Sequence, residues 1–204
     1  MENPARRLTT RETVLLIVAA AGERVEGRTV MQKLAYFSGL GLGTVLGHRA
    51  HFYGPYSARV EDGLVLAAVG GDLKETVERM PDWTGSGSDY VKYTYDLTEQ
   101  GREKVAALRD EHPEESGRID TAVRAIRNVI PDLNQKTLSS AAKTYLILAE
   151  SEGDVSEDRI PELATKLGWK LSQADANQTV EILRQLGLVA VAGEEPEPVS
   201  PMSG

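Results

Sequence analysis

The chain has 204 residues, 41% of them hydrophobic, which is enough for one generous domain or two small ones. It contains no cysteine, which excludes a disulfide framework and any thiolate metal site and suits a reducing cytosol. The formal charge of −8 argues against nucleic acid at first sight, but residues 1–60 carry eight Lys/Arg against four acids, so the remainder holds a net −12.

Such an asymmetry can turn a basic end toward a polyanion, although an ordinary mixed-charge surface explains it equally well. The longest apolar run, Val14–Ala21, falls far short of the roughly 20 residues that cross a bilayer. No apolar stretch stands directly behind the charges of MENPARRLTTRE, so no secretory signal is expected. The chain reads as soluble and cytoplasmic, with no membrane partner.

The first element is a helix over roughly 10–21. Thr9 and Glu12 have capping-box spacing, the run VLLIVAAA follows, and Gly22 stops it. Apolar residues go nearly all the way round, which predicts a buried central helix. A second helix begins after Gly27 with Thr29 as its cap; Val30, Leu34, Phe37 and Ser38 share a face, with Met31 beside them. Glycines at 39, 41, 43 and 47 are expected to loosen the chain after it. Residues 50–56, AHFYGPY, read as a short extended stretch ending in a Gly-Pro turn. Ser57 caps a third helix, closed by Gly70 and Gly71. DLKETVERM and YVKYTYDLT flank a Gly/Ser-rich tip, PDWTGSGSD, and predict a β-hairpin.

Thr98 caps the next helix, which Pro113 and Gly117 are expected to interrupt. IDTAVRAIRNVI follows as a shorter helix, stopped by Pro131. TLSSAAKTYLILAES is an amphipathic helix; Pro161 suits a helix start and Gly168 a helix end. Ser172 opens a longer helix that Gly187 ends, and LVAVA reads as an edge strand. The tail GEEPEPVSPMSG has the composition of a disordered segment. The expected class is mostly α, within α+β. A winged-helix-like unit with its hairpin occupies 1–116, a connecting helix and linker 117–136, a smaller helix-turn-helix-like unit 137–192, and the tail 193–204. The two halves show no self-similarity, so a repeat is not expected.

Chemistry is sparse. Gly41, Gly43 and Gly47 give G-x-G-x-x-x-G, one residue too wide for a dinucleotide fingerprint and without a preceding strand. His48 and His51 form the one close histidine pair and lack further ligands at metal-binding spacing. No G-x-S-x-G elbow is present, and the carboxylates are scattered. No catalytic residue, metal site or cofactor is expected. The denser signal is Lys33-Leu34-Ala35-Tyr36-Phe37 followed by Phe52-Tyr53-Gly54-Pro55-Tyr56-Ser57. The second stretch is a turn that carries aromatics into a capped helix N-terminus. Backbone N–H groups there, with Arg59 one turn inside, offer a place for a phosphate or a partner's carboxylate. The alternative reading has Tyr53 and Tyr56 packing inward to fix the turn and binding nothing.

MQKLAYF followed by HFYGPYSARVEDGLVLAAVGGDL resembles the YwgA-like family of phage-associated proteins and their Panacea (SocA-like antitoxin) relatives. The likeness covers about residues 27–75; the glycine-rich SGLGLGTVLGHR and everything after residue 117 depart from it. The resemblance implies a compact α+β fold with antitoxin, adaptor or regulatory roles and no catalytic site.

Two readings follow. In the first the chain is a non-enzymatic module that binds a protein partner, toxin-like or regulatory, as a monomer or a homodimer. The last long helix suits this, because Gln173, Asp175, Asn177, Gln178 and Glu181 are poor readers of DNA. In the second it is a winged-helix transcriptional regulator whose basic N-terminal unit binds DNA, with Arg6, Arg7 and Arg11 as an arm. The residues expected to meet a partner or nucleic acid are Arg28, Lys33, Arg49, Tyr53, Tyr56, Ser57, Arg59 and Lys92.

Overall fold

The computed structural model describes residues 6–43, 46–80, 90–151 and 155–190. Among them the chain is mostly helical, with eight α-helices and one small antiparallel sheet of three strands, an α+β arrangement. Helix α1, Thr10–Ala20, opens on the predicted capping box, with Thr9 and Glu12 satisfying each other's backbone N–H groups. Val14 through Val18 are buried on every side, and the helix packs against α3 (Ala58–Val69), α4 (Glu99–Glu111) and α5 (Pro113–Val129). An all-apolar helix is stable in water only when neighbours cover its whole circumference, and these elements do so.

Strand β1, Arg24–Glu26, was not expected. It lies against β3 (Tyr90–Leu97), which also pairs along its length with β2 (Leu73–Met80), so the strand order is β1-β3-β2. The hairpin β2–β3 matches the sequence reading; its tip lies outside the described residues. Helix α2, Arg28–Leu42, starts one residue before the proposed Thr29 cap. Gly27 takes the capping position with φ +98° and donates its N–H to the Tyr93 carbonyl at 2.7 Å, so sheet pairing sets the helix start. Gly39 and Gly41 do not loosen α2. The helix runs through both, and an added Cβ at position 41 would make an ordinary contact with Ala122 on α5 at 3.7 Å.

The break expected at Pro113 is present: α4 stops at Glu111 and Pro113 opens α5, since its missing N–H is one that a first helical turn leaves unpaired anyway. Gly117 then lies inside α5, and an added Cβ there would meet open space. Helix α6 spans Gln135–Glu150, a single 3-10 turn Glu157–Arg159, α7 Ile160–Lys166 and α8 Gln173–Gln185, the last opened by Ser172 and Asp175 as a second capping box. Leu188 to Ala190 are not a strand, and Val191 and Ala192 lie outside the described residues.

The buried residues form one cluster from Val14 to Leu183. Helix α2 joins the halves by packing on both α5 and α6, while α6 packs on α7 and α8, where the buried Thr144 and Thr179 hydroxyls share a 2.7 Å hydrogen bond. Among the described residues no helix is long and apolar enough to cross a membrane. The tightest backbone approach is Gly101 of α4, where a Cβ would run into the Asp72 carbonyl oxygen. Gly101→Ala is therefore expected to destabilise the chain by about 2 kcal/mol, read from urea unfolding, because backbone cannot step aside as a side chain does.

Candidate functional site

The residues that the sequence singled out meet where α2 faces the loop between Leu46 and Ser57. The loop is closed by Arg49 and Tyr56, which exchange two backbone hydrogen bonds of 2.9 Å. Gly54 turns at φ +92°, a conformation that side chains with a Cβ rarely adopt. It sits so close to its neighbours that an added Cβ would lie 3.1 Å from Lys143 Cγ, 3.4 Å from Lys33 Cε and 3.4 Å from the Ser139 carbonyl.

The motif in α2 clamps this loop. Gln32 uses both ends of its amide on the Ser57 backbone: Nε2 donates to the carbonyl and Oε1 accepts from the N–H, each at 2.9 Å. Lys33 Nζ donates to the Pro55 carbonyl at 2.7 Å. Ser57 Oγ donates to the Leu46 carbonyl and accepts the Val60 N–H, which caps α3. From the other half of the chain, Trp169 Nε1 donates to the His51 carbonyl at 2.7 Å. Backbone polar groups that would otherwise be buried without partners are thus satisfied by side chains.

The eight residues named from the sequence divide by environment. Lys33 and Ser57 are buried inside the clamp. Arg28 and Tyr56 converge on Glu61; Arg28 Nη1 lies 3.0 Å from its Oε1 and the Tyr56 hydroxyl donates to Oε2. Arg28 also reaches Glu75, donates to the Tyr95 hydroxyl at 3.3 Å, and covers the Tyr93 ring at 3.9 Å. Lys92 stands apart on the hairpin, 2.6 Å from Glu26. Arg49, Tyr53 and Arg59 are exposed, and neither arginine has an ion pair among the described residues. Phe52 is 70% exposed and Tyr53 55%, and their rings meet edge to face at 4.9 Å.

Lys33, Arg28, Tyr53 and Tyr56 border one recess of about 160 Å³, with Leu64 and Glu61 in its wall. The anion place proposed at the α3 N-terminus is already used in part, since Gln32 takes the Ser57 N–H and Ser57 itself takes that of Val60. Burial pushes the Lys33 ammonium down to about 7, and the positive Lys143 nearby adds to the effect. Burial also lowers Lys143, and it lowers His48 to about 4, against a hydrogen bond to the Gln32 backbone that favours the charged ring. The described residues hold no group of three His, Asp or Glu placed to bind a metal ion. A larger cavity of about 790 Å³ lies where α2, α5 and the segment after α8 meet; Gly41, Ala122, Ala125 and Leu188 line it, and none of the eight does.

Sequence reasoning missed Gln32, Phe52, Lys143 and Trp169 as members of this site. Gln32 and Phe52 were within reach, being part of the two quoted motifs. Lys143 and Trp169 carried no signal, because folding alone brings them to a loop some hundred residues away. A comparison with known protein families finds no model that matches the chain, and no curated protein matches it.

Proposed function

We propose that the chain is a non-enzymatic interaction module, antitoxin- or adaptor-like, that binds a protein partner through the Phe52–Tyr53 turn. One observation carries this reading: two large aromatics stand in water on a backbone tied down by Gln32, Lys33 and Trp169. An exposed Phe adds little to the stability of its own fold. A pre-set aromatic anchor, in contrast, offers a partner a large contact area with little left to order. Arg49 and Arg59, unpaired among the described residues, make the adjoining surface suited to an acidic partner.

The order helix, strand, helix, helix, strand, strand, with the short first strand against the last, supports a winged-helix reading of the N-terminal unit. In that reading α3 takes the place of a recognition helix. Its exposed residues include Val65, Leu66 and Val69 beside Asp62, a surface better matched to protein than to base edges. The resemblance of the two motifs to the YwgA-like and Panacea families points the same way.

DNA binding is the second reading, favoured by Arg49 and by Arg59 in the first turn of α3. It is the weaker one, because Arg28 and Lys92 are neutralised by Glu61, Glu75 and Glu26. The test is capture from nuclease-treated and untreated lysates of the source organism, followed by affinity measurement with what is recovered. Phe52→Ala/Tyr53→Ala is expected to weaken that affinity by about 100-fold or more while leaving the thermal midpoint in place. Equal affinity in wild type and variant would overturn the reading. Recovery of DNA alone, with an affinity that falls steeply with salt, would replace it by the second.

A further inference from the structure

The recess beside the turn contains a group that the clamp does not explain. Lys33 is 1% exposed. A lysine ammonium has three N–H donors, and among the described residues only the Pro55 carbonyl accepts one. No carboxylate of a described residue pairs with it. The one acid in the recess, Glu61, is held by Arg28 and Tyr56. The other charge that acts on it is Lys143, whose Cγ, like Lys33 Cε, stands beside Gly54. His48, also close to Lys33, has a buried Nε2 without a hydrogen-bond partner. Fully buried lysines are rare unless paired, and an unpaired buried charge costs several kcal/mol. A Met would fill the same space at no such cost. The chain therefore holds a buried amine with no counter-charge among the described residues, at the edge of a recess that opens beside its exposed aromatics.

The geometry points to Lys33 as the receptor for a carboxylate of the protein partner, an acidic side chain or a C-terminus inserted between Tyr53 and Tyr56. This rests on the protein-binding reading above. Several features favour a carboxylate over a phosphate. The wall formed by Leu64 and the tyrosines is apolar, and the recess of about 160 Å³ is smaller than ordinary small-molecule sites of about 300 Å³ or more. The Arg28 fork is committed to Glu61, Glu75 and Tyr95, so it does not offer a phosphate its bidentate grip. The N–H groups of Ser57 and Val60 are occupied. What remains is a single ammonium with two unused donors, matched to a monoanion.

The test follows the Lys33 side chain by NMR of the full chain labelled at lysine Cε, its signal assigned by its loss in Lys33→Met. In acetate, against chloride at equal ionic strength, its titration midpoint is expected to rise by about one pH unit or more, because an opposite charge within a few ångströms favours the ammonium. An unchanged midpoint in acetate overturns the proposal, as does a rise in phosphate with none in acetate. A second arm measures the purified partner. Lys33→Met should weaken it at least tenfold while the exposed aromatics are intact, and undiminished affinity overturns the proposal. The acetate arm uses no partner, so the carboxylate site stands or falls apart from the Phe52–Tyr53 reading. Loss of partner affinity in Phe52→Ala/Tyr53→Ala but not in Lys33→Met keeps that reading and removes this one.

Discussion

Lys33→Met is expected to unfold later than wild type at acidic and neutral pH and earlier near pH 10, the two stability curves crossing in between. In the unfolded chain a lysine titrates near its ordinary 10.5, whereas burial brings Lys33 in the fold down to about 7. Between those values the unfolded chain binds a proton that the folded chain does not, so wild-type stability rises with pH across the window. The full span is about 5 kcal/mol. The Met variant lacks this dependence and loses the hydrogen bond to the Pro55 carbonyl, a cost of about 1 kcal/mol. Hence it gains at the acidic end of the window and loses at the alkaline end. The groups around Lys33 are Lys143 on α6, His48 and His51 on the loop, Tyr53, Tyr56, and the Arg28–Glu61 pair. His48, lowered by burial from 6.5 to about 4, also adds stability as pH rises, but below the lysine window. Tyr36 and Tyr95, raised by burial, remove stability above it. Tyr36 and Tyr95 titrate above the window in both chains, and His48, whose charge Lys33 also disfavours, titrates below it. The difference between the urea midpoints across the window therefore isolates Lys33. Parallel curves would mean that the ammonium is solvated in the fold. A binding residue whose neutral replacement stabilises the free protein at neutral pH is held for something other than stability.

The parts of the fold legible in the sequence are those decided within a few residues. Thr9 with Glu12, Ser57, Thr98 and Ser172 each fix a helix start by bonds that span three positions, and each stands where it was read, while the part Asp175 plays in the last cap was not read. The hairpin was legible because its two flanks keep strand character over eight residues each. Strand β1 was not, since three residues show no periodicity and its partner lies some seventy positions on. The same long-range pairing moved the start of α2 from Thr29 to Gly27. Helix α2 passes Gly39 and Gly41 while packed on α5 and α6, and such long-range packing is not contained in local propensity. At the site, the turn and its motif were legible but the directions of the side chains were not. Tyr53 points outward while Tyr56 turns to Glu61, and Lys33, read as a flank for a nucleic-acid backbone, lies buried on the Pro55 carbonyl.

Asp72→Ala is expected to cost about 3 to 5 kcal/mol in urea unfolding, the range found when one member of a buried ion pair is removed. The Asp72 carboxylate is wholly buried and gathers three elements of the fold. Arg11 of α1 grips Oδ2 through Nη2 at 2.6 Å and Nε at 3.0 Å. From α4, Lys104 approaches the same oxygen at 3.4 Å and Gln100 Nε2 donates to Oδ1 at 3.0 Å. The Asp72 carbonyl accepts the N–H and hydroxyl of Thr98, the cap of α4. Removing the carboxylate strands two cations and an amide in a partly buried place. Asp72→Asn keeps the shape and an acceptor for Gln100, and is expected to lose about half as much. If Asp72→Ala costs no more than an exposed ion pair, about 1 kcal/mol or less, the hub does not hold the sheet to the helices. Arg11 was one of the three arginines assigned to a DNA-binding arm, and Arg6 beside it is bound to Glu12 at 2.8 Å. Arg24, Arg28 and Lys92 have carboxylate partners as well. Much of the basic character of the N-terminal unit is therefore consumed within the fold, leaving Arg7, Arg49, Arg59 and Arg79 without an ion pair among its described arginines. On the protein-binding reading proposed above, Arg49 and Arg59 are the ones on the loop and helix that flank the Phe52–Tyr53 turn, where they would orient an acidic partner toward it.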